Sequence, residues 1–225
     1  MIFTTSLGWS FFLAGLPTKD GLSVLIGSTS DFGPRVAAIN GIDVVAYFSL
    51  KPGEKDVKGS PIYRRFINAT AALPSHLLHY HPDPYEFWFS SNENAQLFEA
   101  DPWKYIPAFG GHCTHGISSR NDLTPDFLAD GRYAFTCINT TQWYILNGTL
   151  YLNSCGMYSD FIKDPAGDAE KSHAKWKEWF GKGAGFGPIN DRCLQNGGFW
   201  DGDPIGALIP NKCVMNWEVL RKFHK

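Results

Sequence analysis

The alternation of apolar and polar positions predicts short strands separated by turns, with two helical stretches. Leu22 to Ile26 reads as a strand, as do Ile62 to Ile67 and Tyr85 to Phe89, which are rich in β-branched and aromatic residues. Ile39 to Phe48 is a turn that leads into an apolar run. Tyr133 to Ile138 alternates as a strand. Trp143 to Leu146 and Leu150 to Leu152 flank Asn147-Gly148, a strong two-residue hairpin signal. Ser90-Ser91-Asn92-Glu93 matches a capping box and predicts a helix through Glu99. Asp101-Pro102 then starts a further turn of helix, with Asp as cap and Pro at the first position. Ala169, His173, Trp176 and Phe180 share one helical face, and the glycines from 181 onward end that helix.

Strands followed by helices in this order indicate an α+β fold: a small, mainly antiparallel sheet with a few packed helices. The chain divides into an N-terminal segment (1–36), a central domain (37–180) and a C-terminal extension (181–225). No internal repeat or low-complexity segment is evident. Gly 23 and Pro 14 in 225 residues make the fold loop-rich.

Charge narrows the partners. Twenty basic against 22 acidic side chains lack the basic excess that phosphate binding needs, so nucleic acid is not an expected partner. No apolar stretch approaches the roughly 20 residues of a membrane-spanning helix. Leu7 to Leu16 is a shorter apolar run with three readings: an atypical signal peptide, a trimmed start, or a buried strand. Three sequons begin at Asn68, Asn139 and Asn147, and mark those residues as candidate glycosylation sites. With the cysteines they place the protein in the secretory lumen or outside the cell in preference to the cytosol.

Five cysteines cannot all pair within one chain. Cys193 and Cys213 would staple the C-terminal tail, and a loop of that size stabilises by roughly 3 kcal/mol. Cys137 and Cys155 flank the hairpin and form a second candidate bridge. On that pairing Cys113 is left over, and it lies in Gly110-Gly111-His112-Cys113-Thr114-His115. Thiolate and imidazole suit copper, iron and zinc, so His112, Cys113 and His115 are candidate ligands. The competing reading is a bridged cysteine in a glycine turn between surface histidines. His76, His79 and His81 form a second histidine cluster in the loop 68–84; it could fold over residues 112–115 or stay solvated. His173 is expected to be a satisfied buried histidine, Asp43 a turn or cap residue, and Lys175 part of a solvated helix face. There is no nucleophile elbow, Walker loop or dinucleotide fingerprint.

Several of these segments together resemble the YHS-domain proteins. The segments are Gly41 to Phe48 (GIDVVAYF), Val57 to Pro61, Phe87 to Cys113 (FWFSSNENAQLFEADPWKYIPAFGGHC), Trp143 to Asn153 (WYILNGTLYLN) and Trp176. The resemblance spans about residues 37–180, and the run ending in Gly-Gly-x-Cys is its most specific part. It implies a metal-binding module with no general catalytic activity established for stand-alone secreted members. Cys113 falls on the family's cysteine, and Asp101, Tyr105 and Pro107 fall on its helix motif. The chain departs from the pattern at His112, where an aromatic residue is usual, and at Thr114, where a small one is. The histidine-rich loop 68–84 resembles an insertion. Three functions follow as expectations: a secreted metal-binding protein; a disulfide-stabilised interaction or small-ligand module without metal; and a metal-dependent redox enzyme or a cysteine nucleophile at Cys113.

Overall fold

The computed structural model describes residues 16–17, 23–25, 37–73, 75, 84–125, 138–154, 156–181 and 187–191. Four strands form one antiparallel sheet in the order β1 (Leu16–Pro17), β2 (Ser23–Leu25), β3 (Ser60–Ile67) and β4 (Tyr85–Phe89). A separate hairpin pairs β5 (Asn139–Leu146) with β6 (Thr149–Asn153). The helices are α1 (Ala69–Ala72), α2 (Asn92–Ala100), α3 (Pro102–Tyr105), α4 (Thr114–Ser119), α5 (Tyr158–Phe161) and α6 (Pro165–Phe180). This is the α+β architecture that the sequence predicts.

Local chemistry explains most of the elements. The hairpin turns on Asn147 (φ 51°) and Gly148 (φ 76°), the two left-handed residues of a type I′ turn. Asp164 caps α6, Pro165 opens it, and Gly181 ends it at φ 72°. The capping box is displaced by one residue. Ser91, not Ser90, accepts the Asn94 N–H at the start of α2. Ser90 is drawn away because its N–H and Oγ both donate to the buried Asp43 carboxylate. β3 and β4 pair regularly from Arg64↔Trp88 to Ile67↔Tyr85, and the register shifts between Ser60 and Arg64. The irregular stretch carries Ile62, which is 82 % exposed. Tyr133 to Cys137, like the cysteines at 155, 193 and 213, lies outside the described residues, so neither candidate disulfide is among them.

The core is aromatic. Phe98 of α2 packs against Phe87 and Phe89 of β4, with ring centroids 4.9 and 4.8 Å apart. Trp176 of α6 packs against Phe109 and Phe180, at 5.6 and 4.6 Å. Tyr47 is fully buried and donates its hydroxyl to the Thr140 carbonyl at 2.6 Å. Burial first, and then the Asp56 carboxylate, raises its pKa well above that of a free phenol. Burial likewise raises the Cys113 thiol. Both acids therefore ionise more readily in the unfolded chain. They stabilise the fold below the ordinary thiol and phenol range of about 8.5–10, and that contribution is lost as pH rises through the folded values. The urea midpoint is expected to fall between pH 8 and pH 11, and to fall less in Tyr47→Phe. An equal fall in the variant would assign the alkaline loss elsewhere.

Although the sequence shows no repeat, one local turn occurs twice. Ile39, Asn40 and Gly41 are left-handed at φ 52°, 59° and 66°; Phe109, Gly110 and Gly111 match them at 59°, 60° and 80°. Each turn follows an alanine and is followed, two residues after its last glycine, by a side chain that accepts backbone N–H groups. At Asp43 the carboxylate accepts from Val45 and Ala46; at Cys113 the sulfur accepts from Gly116. Asn190 holds the two turns together. Its carbonyl accepts from Ile39 N–H, its N–H donates to Gly110 and its side-chain amide donates to Gly111. Two left-handed non-glycine residues, Ile39 and Phe109, sit fully buried in these turns, so packing offsets their strain.

Candidate functional site

The second turn aims Cys113 into the interior. His112 and Cys113 are extended, and Cys113 becomes the cap of α4. The sulfur is fully buried and free of any disulfide. It accepts the N–H groups of Gly116 at 3.3 Å and Ser154 at 3.2 Å. Asn153 Oδ1 lies 3.9 Å away and also accepts the His115 N–H at 3.0 Å. The thioether of Met157 lies 3.7 Å from the thiol. Burial holds the thiol pKa up; the backbone N–H groups, which favour thiolate, oppose this and lose.

The two histidines of the motif part company. His112 is buried with its ring 6.3 Å from that of Trp176. The His115 Nδ1 bonds Asp168 Oδ2 at 2.5 Å, and Ser118 Oγ donates to the other oxygen of Asp168 at 2.9 Å. Asp168 and Trp176 both belong to α6, eight residues apart, which is about 12 Å along the axis. The two imidazoles are thus directed to different ends of that helix. Among the described residues no three His, Cys, Asp or Glu side chains gather into a metal cage. His76, His79 and His81 lie outside the described residues.

Other candidates have structural partners. His173 bonds the Tyr151 hydroxyl at 2.9 Å and stands edge-on to Phe109; it is satisfied as expected, but half-buried and not fully buried, and that burial lowers its pKa. Asp43 is a buried hub, which is the turn and cap role expected of it. Lys175 differs from expectation. It is not simply solvated: its Nζ donates to the carbonyls of Ile117, Ser118 and Arg120 at the end of α4, at 2.9, 3.3 and 2.6 Å. A cation there satisfies carbonyls that the short helix leaves open. Of the sequons, Asn147 is exposed on the hairpin turn. Asn68 and Asn139 each fold Oδ1 back onto the N–H and hydroxyl of the threonine two residues on.

Sequence reasoning missed Asp168, Ser118, Asn153 and Met157. Asp168 had a signal. It lies four residues before Ser172 and eight before Trp176, on the buried stripe of α6, and a buried carboxylate there needs partners. Met157 had none, because a lone methionine near a turn reads as filler.

No family model, no curated protein and no solved structure matches this chain.

Proposed function

We propose that this protein is a YHS-type domain of the secretory or extracellular space that binds one metal ion at Cys113, with His115 as a further donor. The observation that carries the reading is the His115–Asp168 pair, two residues beyond the thiol. A carboxylate on one ring nitrogen is the usual support behind a metal-bound imidazole, because it sets the tautomer and leaves the other nitrogen to donate. Donors of this kind, one sulfur and one imidazole, suit copper, iron or zinc.

Metal analysis of protein purified without an affinity tag tests this. The expected result is about one ion per chain, lost in Cys113→Ser. Asp168→Asn is expected to weaken binding by about tenfold or more, since it removes the support and not the donor. Binding should strengthen with pH, because the ion must displace the thiol proton and burial keeps that proton on. A stoichiometry well below one, unchanged by Cys113→Ser, would remove the proposal.

A second reading, an interaction or small-ligand module without metal, is favoured by one fact. Cys113 occupies the same station as Asp43 in the repeated turn, so its sulfur serves as a helix cap in its own right. In that case Cys113→Ser keeps an acceptor at the cap and changes stability little, with no effect on metal content.

A further inference from the structure

The geometry points to a copper(I) site at Cys113 in which the Met157 thioether is the second donor; this rests on the metal-binding reading above. Met157 is held in place by its backbone. Its N–H donates to the Ser154 carbonyl at 3.2 Å, and its own carbonyl accepts from Asp160 and Phe161 at 3.2 and 3.0 Å. Ser154 in turn donates its N–H to the Cys113 sulfur at 3.2 Å. One short turn therefore sets both the hydrogen bond to the thiol and the position of the thioether. The two sulfurs end 3.7 Å apart. That is the length of an S–H···S contact, and it is also compatible with two sulfurs bound to one ion at about 2.3 Å with a roughly tetrahedral angle.

Charge and softness select the ion. Thiolate and thioether are soft donors that favour copper(I); a thioether adds little for zinc, which prefers thiolate and imidazole. The sulfur of Cys113 is fully buried, and the groups that bond it, the Met157 thioether, the Asn153 side-chain oxygen and the N–H groups of Gly116 and Ser154, are uncharged. A monovalent ion on one thiolate leaves no net charge in that interior. A divalent ion on the same thiolate would leave one positive charge there, to be offset only from the Asp168 carboxylate behind His115. Binding exchanges ions without moving electrons: the copper–sulfur bond forms, the sulfur–hydrogen bond breaks, and one proton passes to solvent. Met157 is half-buried and its neighbour Gly156 is exposed, so the turn that carries the thioether reaches the surface.

The test is an anaerobic titration of the full chain with copper(I), buffered by a chromophoric copper(I) chelator. The quantity followed is the equivalent that Cys113→Ser abolishes, which separates it from copper held at the other cysteines. In Met157→Leu that equivalent should bind more than fivefold more weakly, while zinc binding and the thermal midpoint stay as in the wild type. A smaller loss in Met157→Leu, with a Cys113-dependent site still present, would overturn the thioether assignment and leave the metal-binding reading standing. Copper(I) uptake identical in wild type and Cys113→Ser would overturn both.

Discussion

Asp43→Ala is expected to destabilise the protein by about 4 kcal/mol, seen as a large drop in the urea midpoint. The carboxylate is fully buried and accepts from five donors. Oδ1 takes the N–H groups of Val45 and Ala46 at 3.0 and 3.1 Å. Oδ2 takes Ser90 N–H, Ser90 Oγ and Asn94 Nδ2 at 2.7, 2.6 and 2.7 Å. Alanine leaves these donors without their acceptor; the buried N–H groups of Val45 and Ala46 cost about 1–3 kcal/mol each, while Ser90 and Asn94, nearer the surface, are partly satisfied by water. The damage spans two parts of the fold, since Ser90 and Asn94 lie 47 and 51 residues further along the chain. Asp43→Asn separates shape from charge. Its amide oxygen can still cap Val45 and Ala46, but its NH2 faces donors at Ser90 and Asn94. It should recover less than half of the loss. Full stability in Asp43→Asn would show that the fold needs only the cap.

The second large effect is expected at Gly110. A Cβ on this residue would stand 2.0 Å from the Pro188 carbonyl oxygen and 2.9 Å from Ile189 Cα. Both obstacles are backbone, so residues 188–190 must lift. Lifting them gives up the three hydrogen bonds of Asn190 to Ile39, Gly110 and Gly111, each worth about 1 kcal/mol. The left-handed φ of 60° adds about 1–2 kcal/mol for any residue with a Cβ. Gly110→Ala is therefore expected to cost about 4 kcal/mol and to expose residues 187–191 to proteolysis. Gly148→Ala is the matched control. It has the same left-handed backbone at φ 76°, yet nothing lies within 4 Å of its would-be Cβ. It should cost only the strain, about 1 kcal/mol. Equal losses in the two variants would mean that residues 188–190 add nothing to stability.

Gly110→Ala also bears on Cys113. Both left-handed turns are followed by a buried acceptor, and Asn190 ties the turns to each other. Lifting Asn190 from Gly110 and Gly111 should disturb the peptide that carries His112 and Cys113. On the proposed metal-binding reading, metal content measured in Gly110→Ala reports whether the turn positions the thiol.

Much of the fold was readable because its causes are local. The Asn147-Gly148 hairpin, the Asp101-Pro102 start of α3, and the Gly181 stop of α6 each depend on residues within one turn of one another. Where sequence reasoning slipped, a distant group had taken the local one. Ser90 looked like the cap of α2, but Asp43 holds it and Ser91 caps instead. Lys175 looked solvated, but the carbonyls of α4 lie in reach. The candidate site divides in the same way. Cys113, His112 and His115 could be read from one hexapeptide. The group that orients His115 is 53 residues away, and the thioether beside Cys113 is 44 residues away.

By itself, then, the sequence determined the longer elements, the α+β class, and the short motif that holds the thiol, because backbone preference, capping and side-chain periodicity act over a few residues. The tertiary structure alone decided where each functional group points. Packing on α6 turns His112 toward Trp176 and His115 toward Asp168, and the turn from Ser154 to Met157 places a second sulfur beside the first. Direction and neighbourhood depend on contacts between elements far apart in the chain, and no local pattern encodes those.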